Sequence, residues 1–219
     1  MPFWQSKKGM KLINMKKITI YKVILAILII IAVVIVALIV DKNIKSQKIE
    51  TQAQQVLQRI SNSVENIKDN ENNVEEATVA VQEINEQLEG YGVIGIIKIP
   101  KINIEYPILE KTDKTSLKLS ITRFWGGKVN QIGNLVLAGH NNFNDKMFGK
   151  IDKLENGDII ELTDSQLVTV KYQVFSKYVV DPDDINCILP EDENRREVTL
   201  ITCINGNKER LIVKASETE

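Results

Sequence analysis

The sequence predicts a mainly β domain, a closed barrel or a sandwich, carried behind a long helical N-terminal region. Three observations predict it. Residues 23–40 form an uninterrupted apolar run, VILAILIIIAVVIVALIV. Residues 41–89 hold no glycine or proline and repeat their apolar positions at helical spacing. From Tyr91 onward, short β-branched runs alternate with Pro, Gly and Asn.

The N-terminal element comes first. Residues 1–22 carry Lys7, Lys8, Lys11, Lys16, Lys17 and Lys22 and no acid. As a helix the apolar run that follows is roughly 27 Å long, about the thickness of a bilayer's hydrocarbon core. Lysines that precede such a run keep their end in the cytoplasm. The expectation is therefore a basic cytoplasmic segment at 1–22, one transmembrane signal anchor at 23–40, and everything after Asp41 outside. The exit, Leu38-Ile39-Val40-Asp41-Lys42, lacks the small-x-small site that a cleaved signal peptide needs. Over the whole chain 28 basic residues face 29 acidic ones, a balance that excludes a nucleic-acid binder of the usual basic type.

Residues 41–90 read as a helical stalk or linker. Ala53, Val56, Leu57, Ile60, Val64 and Ile67, then Val74, Ala77, Val81, Ile84 and Leu88, follow spacings of mostly three and four. The stretch SNSVENIKDNENN is a poor helix and predicts a break near Asn70. The heptad register drifts, which disfavours a coiled coil. A spacer that is no part of the folded unit behind it is the expectation.

Residues 91–219 form the predicted β domain. Alternation assigns strands to Val93–Ile99, Ile102–Ile108, Asn134–His140, Asp158–Thr163, Leu167–Val180, Val198–Ile204 and Arg210–Ala215. Short helices fit Lys114–Leu119 and Met147–Leu154. A domain of this size buries enough core to stand without a disulfide between Cys187 and Cys203, the chain's two cysteines.

Three residue types carry the chemistry. His140 is the single histidine and ends a strand at Ala138-Gly139-His140. Cys203 ends the run Thr199-Leu200-Ile201-Thr202-Cys203, where Ile201 shares its face. Arg210 opens the next strand. A turn at Gly206-Asn207, or a four-residue loop Asn205–Lys208, sets Cys203 opposite Arg210. A turn at Asn205-Gly206, the stronger type I′ dipeptide, sets Cys203 opposite Lys208 instead. The sequence leaves this register open. A guanidinium beside a thiol favours the thiolate and supplies donors for an oxyanion. An imidazole supplies the proton that a leaving amine needs. Together these describe acyl transfer through a thioester. No metal site is expected, because a lone histidine and widely spaced cysteines do not make a ligand set.

These motifs resemble those of the sortases, the membrane-anchored cysteine transpeptidases of Gram-positive bacteria. Thr199–Cys203 is similar to the family's TLxTC strand, Ala138-Gly139-His140 to its histidine strand end, and Arg210 stands where the family keeps its arginine. The resemblance covers roughly residues 92–215. It implies an eight-stranded β-barrel with short helices. It implies that an LPXTG-like C-terminal sorting signal is cleaved, and that the acyl group passes to an amine of a cell-wall precursor. By the same resemblance Cys203 is the nucleophile, His140 the general acid and base, and Arg210 the stabiliser of substrate and oxyanion. Ala138 and Ile201, on the faces of His140 and Cys203, are candidates for the substrate groove. No cofactor is expected. Calcium binding by Asp181, Asp183, Asp184, Glu191, Asp192 and Glu193 is weaker than a solvated acidic loop. Neither the Asp-Pro-aromatic lid nor the second membrane segment common in pilus-building members is present, so that class is disfavoured and the class otherwise stays open. Two rivals remain. An L,D-transpeptidase would place its cysteine after Ser-x-Gly, whereas Ile-Thr precedes Cys203. A non-catalytic anchored scaffold would bury Cys203 as inert core.

Overall fold

The computed structural model describes residues 4–69, 88, 90–141 and 145–218. Val74, Ala77, Val81 and Ile84 of the predicted stalk, and most of the polar loop after His140, lie outside the described residues, as do the side chains of the lysines before Tyr21.

Helix α1 runs from Trp4 to Asp69. Its N-terminal part is long and apolar enough to cross a membrane, with a mean hydropathy of 3.8 in its most apolar window. The side chains of residues 23–40 are all exposed, as suits a helix whose apolar surface meets lipid.

The C-terminal residues of α1 behave differently. Ala53, Val56, Leu57 and Ile60 are buried, each at 7% exposure or less. Their spacing puts them on one helical face. Val56 and Ile60 pack with Leu88, Val93, Leu109 and Leu119 in a second apolar cluster beside the main core. The spacer expectation therefore does not hold for residues 53–60. Burying a Val, Leu or Ile side chain contributes about 1.5–3 kcal/mol, so this face stabilises the domain it covers.

Eight strands close into a barrel in the order β1-β2-β3-β4-β7-β8-β6-β5. They are β1 (Val93–Ile99), β2 (Ile104–Leu109), β3 (Ile121–Trp125), β4 (Gly133–Ala138), β5 (Ile159–Asp164), β6 (Thr169–Val180), β7 (Arg196–Ile204) and β8 (Glu209–Glu217). The expected strands are all present, with ends moved by a few residues. The sequence did not show β3. It is short, Arg123 breaks its apolar alternation, and it meets β2 at only Ile108–Ile121 and Leu109–Thr122. The predicted helix at 114–119 is the single turn α2, Ser116–Leu119. The one expected at 147–154 shrinks to a 3-10 turn at Ile151–Lys153.

Alternation sorts the side chains of the strands that matter here. Leu135 and Leu137 on β4, Val198 and Leu200 on β7, and Leu211, Val213 and Ala215 on β8 point into the barrel core. The opposite face carries Ala138, Ile201 and Cys203, and Arg210, Ile212 and Lys214. Parallel pairing sets Ala138 beside Ile201. Antiparallel pairing sets Ile201 beside Ile212 and Thr199 beside Lys214.

Candidate active site

The outer face of β4, β7 and β8 floors a cleft of about 430 Å³. His140, Cys203, Arg210, Ala138 and Ile201 all line it. The five candidates read from the sequence thus meet in one place.

The register question is settled at the β7–β8 turn. Cys203 pairs directly with Arg210, and Ile204 with Glu209. The connection is the four-residue loop Asn205–Lys208. Asn205, Gly206 and Asn207 all take left-handed backbone, at φ of 49°, 66° and 71°. Glycine and asparagine tolerate that region best, which is why this composition makes this loop. An Asn205 side-chain amide donates to Glu209 across it. Directly opposed residues bring their Cβ atoms to about 5 Å. Nη1 of Arg210 donates to the carbonyls of Asn207 and Glu209, both at 3.1 Å, which seats the guanidinium at the cleft's edge. Cys203 is half-buried and its thiol is free.

His140 is placed by the end of β4. The Gly139 amide donates to Ile201 O at 3.2 Å, and Thr202 Oγ1 donates to Gly139 O at 2.7 Å. The histidine strand end is therefore bolted to the cysteine strand. Gly139 is required for space: a Cβ there would stand 2.8 Å from the Phe148 ring. His140 is half-buried, and burial holds its imidazole below the ordinary value of 6.5, helped by the nearby Lys118 cation.

The connection between β6 and β7 forms the facing wall. It contributes Pro182, Asp184, Ile185, Cys187 and Ile188. Buried polar side chains of the barrel hold it. Nζ of Lys214, a residue 2% exposed, donates to Leu189 O at 2.9 Å and to Glu191 Oε1 at 2.6 Å. Asn134 Nδ2 donates to Ile188 O at 2.8 Å, and Thr199 Oγ1 donates to Asn134 Oδ1 at 3.0 Å. The Glu197 carboxylate accepts the amides of Glu191 and Asp192. The loop's own acids are used in the same way: Asp184 accepts from the Asn186 amide and Asp192 from the Asn194 amide. Among the described residues no group of three or more His, Cys, Asp or Glu is placed to hold a metal ion.

The sequence missed part of this cleft. Phe124 and Trp125 line it from β3, the unpredicted strand, and stand 53% and 58% exposed. Adjacent exposed aromatics, in a chain with only 5% aromatic residues, were the signal available. In the sequence Cys187 lies between the acidic stretches 181–184 and 191–193. It is buried in a 3-10 turn, with its Sγ donating to Asp184 O at 3.3 Å.

Comparisons with known proteins agree with the geometry. The family model described as Sortase domain matches residues 97–218. Sortase A of Bacillus anthracis is 33% identical over 132 residues, which cover 59% of this chain and 61% of that protein. The matched segments span between about half and three fifths of the first curated relatives. Among solved structures, a Clostridium perfringens Sortase D5 transpeptidase superposes with a TM-score of 0.56 at 30% identity, covering 71% of this chain and 95% of that one. Clostridium perfringens sortase C with the C-terminal cell wall sorting motif gives 0.56 at 29%, covering 74% and 99%. The family match takes in the cysteine strand, the histidine strand end and the arginine, and the chain belongs to the sortase family.

Proposed function

We propose that this protein is a membrane-anchored cysteine transpeptidase that cleaves an LPXTG-like sorting signal and joins the released acyl group to an amine of the cell wall. The convergence of Cys203, His140 and Arg210 on one cleft carries this reading. The likeness to a sortase C solved with a sorting motif supports the substrate class.

The chemistry follows from the side chains. The neutral imidazole of His140, kept neutral by burial, accepts the Cys203 thiol proton. The thiolate attacks the scissile carbonyl, and a C–S bond forms. The oxyanion meets the Arg210 guanidinium, whose Nη1 is fixed by two turn carbonyls. As the C–N bond breaks, the imidazolium gives its proton to the departing amine. The acceptor amine then attacks the thioester, the C–S bond breaks, and His140 takes the amine's proton. Ala138 and Ile201 form the apolar floor on which the peptide lies. The wall from β6–β7 and the aromatics of β3 flank it.

The apolar run of α1 serves as the anchor, and the lysines before it place the catalytic domain outside the cell. No cofactor enters any step.

The test is a sorting peptide offered to the full chain in detergent micelles, with and without a glycine or diamino-acid amine. The expected result is a thioester on Cys203 by mass spectrometry, and a ligated product when the amine is present. Peptide hydrolysis without any covalent enzyme species would reject the mechanism. Labelling at Cys187 in place of Cys203 would reject the site.

A further inference from the structure

The barrel's tie to the C-terminal part of α1 reaches the loop that follows His140. Glu50 lies on α1, half-buried with its side chain 25% exposed. Its Oε2 pairs with Lys146 Nζ at 3.0 Å. The same carboxylate accepts from the phenol of Tyr106, at 3.1 and 3.3 Å to its two oxygens. Tyr106 is a β2 residue only 4% exposed, and its phenol also takes a backbone hydrogen bond at Met147. One carboxylate therefore touches the chain at Lys146 directly and at Met147 through a buried phenol.

Those two residues close the loop that begins at His140. Asn141 and Met147 form an antiparallel bridge, and the Phe148 amide donates to His140 O at 3.1 Å. Phe148 in turn lies under Gly139. The described residues that return to His140 are not relaxed: Asp145 and Met147 hold left-handed backbone at φ of 59° and 50°, a region that side chains with a Cβ disfavour. Met147 is also 5% exposed. A buried, left-handed methionine stays where it is because its surroundings over-determine it. The contacts to Tyr106 and, through Lys146, to Glu50 are such surroundings.

We propose that Glu50 is a positioning residue: through Lys146 and Tyr106 it holds Lys146–Phe148, the residues bonded back to His140 and Asn141, and with them the imidazole of His140. The role given to His140 rests on the transpeptidase function proposed above. Glu50 touches no substrate and acts only through the loop. The C-terminal part of α1 is then part of the machinery that orients the proton carrier, beyond its share in the apolar packing.

The chain's single histidine makes the test direct, because one imidazole gives one set of resonances. Full chain labelled with ¹³C-histidine is prepared in detergent micelles as wild type, Glu50→Lys, Lys146→Glu, and the double exchange Glu50→Lys/Lys146→Glu. Imidazole chemical shifts, kcat and KM on a sorting peptide, and Tm are measured on each. The expectation is that each single variant moves the imidazole resonances and lowers kcat at least about tenfold with KM within about twofold, since a small misplacement of a catalytic group is costly. The double exchange restores both. Unmoved resonances in a folded single variant would overturn the proposal. So would a shift that the double exchange leaves unrestored, because the contact would then be packing alone. Should Glu50→Lys fail to fold, Glu50→Gln, which keeps the shape and an acceptor for Tyr106 but removes the charge that pairs with Lys146, is used instead, and unmoved imidazole resonances in it would overturn the proposal. The resonances need no turnover. If they move and recover while even the wild type cleaves no sorting peptide, positioning stands and the transpeptidase reading falls.

Discussion

Two thiols line one cleft and share little else. Cys203 sits on a regular strand, half-buried, directly opposite the guanidinium-bearing Arg210, with His140 on the neighbouring strand end. Cys187 sits in a 3-10 turn of the facing wall, 6% exposed, its Sγ donating to a backbone carbonyl. Burial pushes the Cys187 thiol above its ordinary value of 9.0, and Asp184 adds to this. Residue type is the same and location is nearly the same. The surroundings differ: one sets a guanidinium opposite the sulfur and an imidazole in the same cleft, and the other favours a proton kept on sulfur. That difference, more than the presence of a cysteine, is what the fold supplies.

The largest effect expected from breaking the contrast is at Cys203. Cys203→Ala should remove the acyl-enzyme and lower turnover at least about 10⁴-fold, the scale on which enzymes lose a nucleophile. The measurement is single-turnover mass spectrometry beside steady-state rates. Residual turnover through a covalent species on Cys187 would show that the two environments are interchangeable after all.

Arg210 is the next lever. Lysine keeps the charge opposite Cys203 but lacks the planar fork of donors. Arg210→Lys should lower kcat by about 10²–10³, the usual loss for one oxyanion donor, with an intact fold by circular dichroism. Near-wild-type kcat in Arg210→Lys would reduce the arginine's part to charge alone.

How much of this contrast could be read in advance depends on the range of the interactions involved. The strands that carry Cys203 and Arg210 were legible because alternation is local. Their register was not, because the dipeptide rule favours Asn205-Gly206 and the chain instead takes three consecutive left-handed residues, Asn205–Asn207. The burial of Cys187, which stands between acidic stretches of the sequence, was not legible either. The wall that buries it is held by Asn134 and Lys214, which reach Ile188 and Leu189 from strands distant in sequence. The stripe of Ala53, Val56, Leu57 and Ile60 announced a face that wants covering, but sequence periodicity names no partner. Strand β3 escaped because Phe124 and Trp125 are exposed and Arg123 interrupts the pattern.

The two thiols should also separate by pH. A thiol whose pKa is raised keeps its proton longer as pH rises. Alkylation of Cys187 in the native protein should therefore be negligible near neutrality, and the more exposed Cys203 should be labelled ahead of it. The linkage has the same sign: the unfolded chain sheds that proton before the folded one, so this group's contribution to stability is present below pH 9 and is lost as pH climbs through the raised value. Site-resolved alkylation between pH 6 and 10 checks both statements, and equal rates at the two cysteines at pH 7 would remove the distinction.

The smallest effect is expected at Cys187 itself, and it is the most discriminating. Cys187→Ala deletes one buried sulfur and a weak donor to Asp184 O. Losing so small a buried group costs about 1 kcal/mol, which in a domain of this size lowers Tm by roughly 2–4 °C. The wall as a whole should stay in place, because Lys214 and Asn134 hold it at Leu189, Glu191 and Ile188 without help from the thiol. The acyl transfer needs nothing from this sulfur, so kcat should stay within about twofold, the scale of a change that touches no reacting group. KM is the sensitive quantity, since Cys187 lines the same cleft as Ile201 and a slack wall would bind peptide less well. A variant with normal Tm but a tenfold loss in kcat would place the second thiol in the chemistry. A variant with a modest Tm loss and unchanged kcat leaves it in the wall, where its burial puts it.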